Sequence, residues 1–134
     1  MKVSSLMKPN PTTINKDETI SQASKLFKDK RIRHLPVVND SDVLVGIVTD
    51  RDLKRASASD ATLLEVHELL YLLNKVKVSQ IMSKKVVSVG PDADIKAAAG
   101  LLVQHKIGGL PVVQGKKLLG IITDTDLLAH LANS

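Results

Sequence analysis

The sequence predicts an α/β (α+β) fold made of two copies of one strand–helix–strand–strand–helix unit, packed on each other with pseudo-twofold symmetry. The main observation is a duplication: the segment IRHLPVV at 32–38 returns as IGGLPVV at 107–113, 75 residues later. A second segment, GIVTDRDL at 46–53, returns as GIITDTDL at 120–127, 74 residues later. Two copies at this spacing indicate a duplicated supersecondary unit rather than a long repeat array. Each copy also alternates β-branched stretches with amphipathic ones, as α/β proteins do.

The first copy opens with a brief extended stretch, Thr12–Ile14. Asp17 and Thr19 then offer N-cap oxygens to a helix whose apolar residues recur at helical spacing, namely Ile20, Ala23, Leu26 and Phe27. Two strands joined by a polar turn follow: Leu35–Val38, Asn39–Asp42 and Val43–Val48. Because proline cannot donate to a ladder, Pro36 predicts an edge or strand-start position.

The second copy repeats this order. Its predicted elements are a strand at Val86–Val89, a helix at Ile95–Gln104, strands at Leu110–Val113 and Leu118–Ile122, and a closing helix from Asp124 to about Ala132. The sequence therefore divides into a first repeat at 1–56, a linker with a helix at 57–75 and a second repeat at 76–134.

The linker predicts one further helix. Small residues at 56–61 lead into Leu63, Val66, Leu70 and Leu73, which are three or four residues apart. This spacing is typical of an amphipathic helix. Such a helix would cover the core or form a dimer contact, and a ligand-gated lever is the alternative.

Composition narrows the function classes. The 134 residues include no cysteine, which excludes disulfides, thiolate metal sites and cysteine nucleophiles and suits a cytoplasmic protein. No apolar stretch has the length of a membrane span, and the first residues have no apolar core of signal-peptide length. The net charge of +5 permits an anionic partner, but one Phe, one Tyr and no Trp leave few platforms for stacking bases.

Catalysis has little support in the sequence. The four histidines lack a paired metal-ligand spacing, and neither a nucleophile elbow nor a glycine-rich phosphate loop is present. Asp50 lies beside Asp52, and Asp124 beside Asp126, but residues two apart on a helix do not share a face. We therefore expect a protein that is not an enzyme, with no metal site and no required cofactor.

Thr49-x-x-Asp52 and Thr123-x-x-Asp126 are the duplicated residues that could carry chemistry. Ser/Thr-x-x-acid is also a capping-box pattern, and both copies precede a predicted helix. The same spacing places a hydroxyl and a carboxylate one helical turn apart, where both could hold the cis-diol of a sugar. The helix N-terminus beside them would favour anions. The capping and binding roles can coexist.

The residues before each Leu-Pro-Val-Val strand differ between the copies. Arg33 and His34 could meet phosphate, since Arg offers a planar fork and His a further donor. Gly108 and Gly109 occupy the matched positions and carry no side chain. The difference predicts two unequal sites, unless Arg33 and His34 are simply solvated and the glycines relieve a tight turn.

These residues together resemble a tandem CBS-domain pair, also called a Bateman module. The resemblance rests on Ile-x-x-Leu-Pro-Val-Val, a turn and Gly-Ile-Val/Ile-Thr-x-x-Asp, present twice over about residues 3–56 and 76–132. Within that superfamily the chain is similar to acetoin-utilisation-type CBS proteins. The resemblance implies a β-α-β-β-α unit per repeat, clefts for adenosine derivatives such as AMP, ADP, ATP or S-adenosylmethionine, and dimers of pairs.

The resemblance also implies roles by position. Thr49, Asp52, Thr123 and Asp126 would hold ribose hydroxyls, and Arg33 and His34 would meet phosphate. A base slot without aromatic residues would be bordered by Thr13, Ile14, His34, Pro36, Val37, Ile47, Ser88, Val89, Gly109, Pro111 and Ile121.

The leading hypothesis is a non-catalytic regulatory sensor that binds an adenosine-type ligand and signals to a partner protein or through a homodimer. The alternatives are a constitutive dimerisation scaffold with degenerate pockets and, less favoured, a basic nucleic-acid binder.

Overall fold

The computed structural model describes residues 1–61, 71 and 73–134. Its α-helices over these residues are α1 (Ile20–Lys30), α2 (Asp50–Ala61), α3 (Ile95–His105) and α4 (Asp124–Ala132). Its strands are β1 (Lys8–Pro9), β2 (Ile14–Asn15), β3 (His34–Val38), β4 (Leu44–Thr49), β5 (Gly109–Gln114) and β6 (Lys117–Thr123). This order confirms the predicted α/β fold of two matched copies.

The described strands form two three-stranded sheets. In the first, β3 lies between β2, which is parallel to it, and β4, which is antiparallel. In the second, β6 lies between β1 and β5 and is antiparallel to both. A single parallel bridge from Val89 to Val112 repeats the pairing of Ile14 with Val37. The first strand of each copy is thus shorter than predicted. In the first copy it is β2, with two residues, and in the second copy it is the single bridge at Val89.

Pro36 lies in β3, the middle strand of its sheet, at a position where the missing N–H breaks no hydrogen bond to β4. It is the third residue of β3, ahead of Val37 and Val38, which pair with β2. At the matched position, the carbonyl of Pro111 accepts from the Val89 N–H at 3.1 Å. Since a strand residue directs its N–H and C=O to the same side, the missing proline N–H costs no bond to the antiparallel neighbour. The prediction of an edge or strand-start position is therefore wrong for Pro36, because β3 is the middle strand of its sheet and Pro36 is its third residue.

The chain forms two compact units that do not coincide with the sequence repeats. The first unit is Thr12–Lys85, and the second unit combines Met1–Pro11 with Val86–Ser134. The reason is that the segment before each first strand pairs with the last strand of the other copy. Lys8 is registered with Ile121, and Ser83 forms the equivalent bridge with Ile47. We call residues 1–11 and 76–85 the lead segments.

Each lead segment is anchored by a buried valine. Val3 and Val78 open short 3₁₀ helices and are fully buried. The Val3 N–H donates to the Ala93 carbonyl at 2.8 Å, and the Val78 N–H donates to the Glu18 carbonyl at 2.8 Å. Burying a valine side chain is worth about 1.5 kcal/mol or more, so the lead segments contribute to the cores of their units.

The cores occupy matched positions in the two units. The first unit buries Leu35, Val37 and Val48 against Ala23 of α1, and the second buries Leu110, Val112 and Ile122 against Ala98 of α3. These side chains come from one face of each sheet and one face of each helix, as the apolar periodicity predicts. Thr19 caps α1 as predicted, and Gln22 completes a capping box that the sequence analysis did not identify.

The helix expected at Leu63–Leu73 falls mainly on residues outside the described part of the chain. Leu73 itself is half-buried and packs against the first core. In the part of the chain that is described, no helix combines the length and the apolar character needed to cross a membrane. The same part holds no group of three or more His, Asp or Glu side chains placed to share a metal ion.

Candidate functional site

The duplicated Thr-x-x-Asp sequences form capping boxes at the starts of α2 and α4. The Thr49 N–H donates to Asp52 Oδ2 at 2.9 Å, and the Asp52 N–H donates to Thr49 Oγ1 at 3.2 Å. Thr123 and Asp126 make the same reciprocal bonds at 2.9 and 3.3 Å. The capping interpretation is therefore correct for both copies. These bonds fix the hydroxyl and the carboxylate side by side at each helix start.

The capping bonds leave one carboxylate oxygen of each aspartate for other partners. Asp52 Oδ1 lies 4.0 Å from a guanidinium nitrogen of Arg55, and Asp126 Oδ1 lies 3.5 Å from Lys8 Nζ. The aspartate side chains are only 19% and 11% exposed, whereas Arg55 and Lys8 are 77% and 68% exposed. Ion pairs with such exposed cations are weak. A ligand hydroxyl could therefore replace them without breaking the capping boxes.

The residue before each β-hairpin is held at the same helix start. The Asp50 N–H donates to the Arg33 carbonyl at 3.1 Å, and the Asp124 N–H donates to the Gly108 carbonyl at 2.9 Å. In the first unit this hydrogen bond holds the backbone of the exposed Arg33 beside the N-terminus of α2. The second unit has Gly108 at that place, so the backbone arrangement is the same in the two units and only the side chain differs.

Strand register brings further predicted residues to the Thr–Asp pairs. His34, half-buried, is directly opposite Thr49, and Pro36 is opposite Ile47. In the second unit Gly109 is opposite Thr123, and Pro111 is opposite Ile121. Residues two apart on a strand share a face, so each set lies on the face that carries the threonine. We call these the site faces, defined by His34, Pro36, Ile47 and Thr49 in the first unit and Gly109, Pro111, Ile121 and Thr123 in the second.

Three residues predicted for the base slot lie on the opposite face. Ile14 and Val37 belong to the first core, and Val89 belongs to the second. Their side chains alternate with those of the site faces, because successive strand residues point to opposite sides of a sheet. These three residues therefore build the cores beneath the site faces, and their role in a base slot stays a prediction. Thr13 and Ser88 are exposed and directly precede the buried Ile14 and Val89.

Lys8 is a site residue that the sequence analysis did not identify. It reaches Asp126 because β1 pairs with β6, although 118 positions separate the two residues in the sequence. The one available signal was Met7, which shares the repeat spacing with Met82. Both methionines contact the strand glycine that precedes a site-face isoleucine, Gly120 for Met7 and Gly46 for Met82.

Comparison with known proteins identifies the family. The model of the CBS domain matches residues 3–59 and 78–133. The chain is a tandem CBS-domain protein. A CBS domain-containing protein of Dictyostelium discoideum is 38% identical to it over 127 residues, covering 94% of this chain and 88% of the relative.

Other relatives contain the same region within longer chains. The homoserine O-acetyltransferase of Methanococcoides burtonii is 36% identical over 126 residues, covering 93% of this chain but only 23% of the relative. The match is thus confined to about a quarter of that enzyme and does not assign its activity to this chain.

Solved structures agree with the family and the fold. A Vibrio cholerae protein that carries the name acetoin utilization protein (AcuB) is 35% identical, with a TM-score of 0.82 over 99% of this chain and 91% of its own. This likeness confirms the expected similarity to acetoin-utilisation-type CBS proteins. The CBS domain pair of MJ0100, in complex with 5′-methylthioadenosine and S-adenosyl-L-methionine, is 26% identical, with a TM-score of 0.85 over 99% and 97%. CBSX2 in complex with AMP is 27% identical, with a TM-score of 0.81 over 98% and 96%.

Proposed function

We propose that this CBS-domain pair is a non-catalytic regulatory module that binds an adenosine-containing ligand at one or both site faces. The carrying observation is that each unit presents a Thr–Asp pair at a helix start, with one carboxylate oxygen outside the capping box. Structural neighbours in complex with 5′-methylthioadenosine, S-adenosylmethionine and AMP support an adenosine ligand.

The chemistry of the site faces suits the parts of such a ligand. The hydroxyls of a ribose diol would donate to Oδ1 of Asp52 or Asp126, the oxygen outside the capping box. They would displace the exposed Arg55 or Lys8 side chain from that oxygen. Ile47, which is half-buried, would offer apolar surface to the purine in place of the aromatic residues that the site faces lack, and the buried Pro36, Pro111 and Ile121 would form the apolar floor beneath the base. Thr13 and Ser88 would border the base.

The two sites would prefer ligands of different charge. Arg33 and His34 give the first site a guanidinium and an imidazole for phosphate, next to the positive end of α2. Gly108 and Gly109 give the second site backbone only. AMP, ADP or ATP therefore fits the first site better, and an adenosine derivative without phosphate, such as S-adenosylmethionine, fits the second.

Ligand binding would regulate a separate protein or the state of a homodimer. A ligand shifts a conformational equilibrium only by its different affinities for the two states. The competing function is a constitutive scaffold with degenerate pockets, and the intact Thr–Asp geometry in both units weighs against it. A basic nucleic-acid binder is the third candidate, which a salt-dependent gel shift would test.

The test is a calorimetry and thermal-shift panel of AMP, ADP, ATP, S-adenosylmethionine and 5′-methylthioadenosine. The informative variants are Asp52→Asn and Asp126→Asn. Asparagine keeps a carbonyl oxygen for the threonine N–H but presents an NH₂ group where the outer oxygen was. It therefore preserves capping while removing the acceptor for ribose.

Asp50→Asn and Asp124→Asn are the matched controls. These aspartates lie in the same first turns and accept from the backbone N–H of the next residue, at 3.0 and 2.7 Å, and Asp124 also accepts from Thr125 Oγ1 at 3.4 Å. The Asp50→Asn and Asp124→Asn substitutions remove the same charge from the same helix N-terminus without changing the Thr–Asp pair. Loss of binding in the controls as well would indicate a general charge effect rather than a ribose contact.

A ligand at 100 times its dissociation constant stabilises the protein by about 2.7 kcal/mol. We expect this stabilisation from at least one adenosine ligand, and a dissociation constant raised about tenfold or more by Asp52→Asn or Asp126→Asn, since a hydrogen bond to a charged group is worth about 1.5–3 kcal/mol. A folded protein that no member of the panel stabilises would refute the sensor and favour the scaffold.

A further inference from the structure

A lysine from the first lead segment lies on the site face of the second unit. Lys8 of β1 is registered with Ile121 of β6, and residues directly opposite each other on antiparallel strands point to the same side of the sheet. The Lys8 Nζ atom lies 3.5 Å from Asp126 Oδ1, the carboxylate oxygen outside the capping box. Strand pairing fixes the backbone of Lys8, whereas its side chain is 68% exposed. An ammonium group on a flexible stem is therefore held beside the oxygen that would accept from ribose.

The first unit fills the same place differently. The residue 75 positions after Lys8 is Ser83, which forms the equivalent bridge with β4. The cation near Asp52 Oδ1 is Arg55, which belongs to the same helix as the aspartate, and its matched residue in the second unit is Ala129. The cation beside the ribose oxygen thus comes from the helix in the first unit and from the lead segment in the second. Since both units have the same fold, the fold itself does not require a lysine at position 8.

We propose that Lys8 is a specificity-determining residue of the second site and selects adenosine ligands that carry a carboxylate in their 5′ substituent. The inference rests on the proposed function and specifies the ligand of the second site. Ribose hydroxyls that bind Asp126 Oδ1 would release the Lys8 ammonium to pair with another anion. The 5′ carbon of the ligand is attached to the ring carbon next to the one that carries the 3′ hydroxyl. The 5′ substituent therefore begins a short distance from the Lys8 ammonium.

The composition of the second unit favours a carboxylate over a phosphate. All four arginines of the chain lie in the first unit, so the second unit offers no guanidinium. Gly108 and Gly109 also lack the side chains that Arg33 and His34 provide in the first unit. A planar guanidinium can hold phosphate through two parallel hydrogen bonds, whereas a lysine is a compact point charge. A single ammonium matches the single charge of a carboxylate, such as the one at the end of the 5′ substituent of S-adenosylmethionine.

The test compares S-adenosylmethionine with its decarboxylated form, since the two differ only in the carboxylate. Calorimetry is done on the Asp52→Asn protein, in which the first site is weakened and the second is intact. Lys8→Met is then added, which removes the charge and keeps an unbranched side chain of similar length. The lysine is exposed, so the variant should fold, as circular dichroism would verify.

We expect Lys8→Met to change the two affinities in opposite directions. S-adenosylmethionine should bind about fivefold more weakly, at the upper end of what an exposed ion pair contributes. The decarboxylated ligand should bind about twofold more tightly, because no ammonium then competes for Asp126 Oδ1 or repels the positive ligand. The preference for the carboxylate should therefore fall about tenfold.

Lys2→Met is the matched control. Lys2 belongs to the same lead segment, is 64% exposed and pairs with Asp92 at 3.3 Å, outside the site face. Its replacement removes the same charge and should leave the affinities for both ligands unchanged. Lys8→Arg keeps the charge and should retain most of the preference for S-adenosylmethionine, whereas a loss as large as in Lys8→Met would show that the charge is not the cause.

The outcomes separate this inference from the proposed function. Equal changes for both ligands in Lys8→Met, or the same loss of preference in Lys2→Met, would overturn the role of Lys8 and leave the adenosine site in place. Tighter binding of AMP than of S-adenosylmethionine, with a larger loss in Lys8→Met, would overturn the assignment to a carboxylate. If an adenosine ligand binds the wild type but none binds the Asp52→Asn protein, the second site and this inference fail together. Absence of binding to the wild type would refute the proposed function itself.

Discussion

Replacing Gly120 with alanine tests how firmly the first lead segment is held in the second unit. Gly120 lies in β6 opposite Pro9 of β1. A Cβ atom at this position would lie 2.7 Å from the Lys8 carbonyl oxygen and 2.7 Å from Met7 Sδ. The methionine side chain can turn away, but the carbonyl can move only if β1 separates from β6 by several tenths of an ångström.

We expect Gly120→Ala to lower the free energy of unfolding by about 2 kcal/mol, in the usual range for one extra carbon in a close-packed site. For a chain of this size, 1 kcal/mol corresponds to a change in Tm of about 3–5 °C, so Tm should fall by about 8 °C. Urea denaturation followed by circular dichroism measures the first quantity, and differential scanning calorimetry measures the second.

Gly90→Ala is the control, because a Cβ atom there meets no atom within 4 Å. Its expected effect is zero or a gain of about 0.5 kcal/mol, from the reduced freedom of the unfolded chain. Should Gly120→Ala prove as stable as Gly90→Ala, the close approach of the Lys8 carbonyl to β6 would not be a constraint on the fold, and our reasoning would be wrong.

The remaining predictions concern the core, the caps and the surface. Leu110→Ala should cost about 2–5 kcal/mol, because Leu110 is fully buried in the second core; a loss under about 1 kcal/mol on urea titration would contradict that packing. Thr123→Ala should cost about 1 kcal/mol by loss of the N-cap while Thr123→Ser retains most of it, and equal losses in both would exclude the cap as the cause. Lys8→Ala should change stability by under about 0.5 kcal/mol, because the lysine of its ion pair with Asp126 is largely exposed to solvent; a larger loss would show a stronger pair than this exposure indicates.

The regular elements were predictable because their signals are local. The closing helix from Asp124 to Ala132 lies where the sequence placed it, since a Thr-x-x-Asp cap fixes its start. The Thr–Asp pairs were predictable for the same reason, and because the motif occurs twice.

The lead segments were not predictable from such signals. Lys8–Pro9 has no alternation of apolar and polar residues, and a proline argues against a strand. Its pairing with β6 depends on a contact between distant parts of the chain. Lys8 could be recognised as a site residue only after that pairing was known.

The sequence could not assign the two faces of β3, because its central residues, Leu35–Val38, are all apolar. In β3 both Pro36 and Val37 could face either side, since burial extends without interruption from Leu35 to Val38. Only the helix packed against one side of the sheet decides that Val37 belongs to the core and Pro36 to the site face. A strand buried on both sides loses the alternation that would have separated them.

The lead segments also determine when each unit can form during synthesis. The first unit is a continuous stretch that is complete once Lys85 has left the ribosome. The second unit joins residues 1–11 to residues 86–134, so residues 1–11 have to wait for a segment that is made after the whole first unit. Until then Val3 has no access to the Ala93 carbonyl or to its place in the second core. Residues 1–11, which precede the first unit in the sequence, therefore belong to the unit that is completed after it.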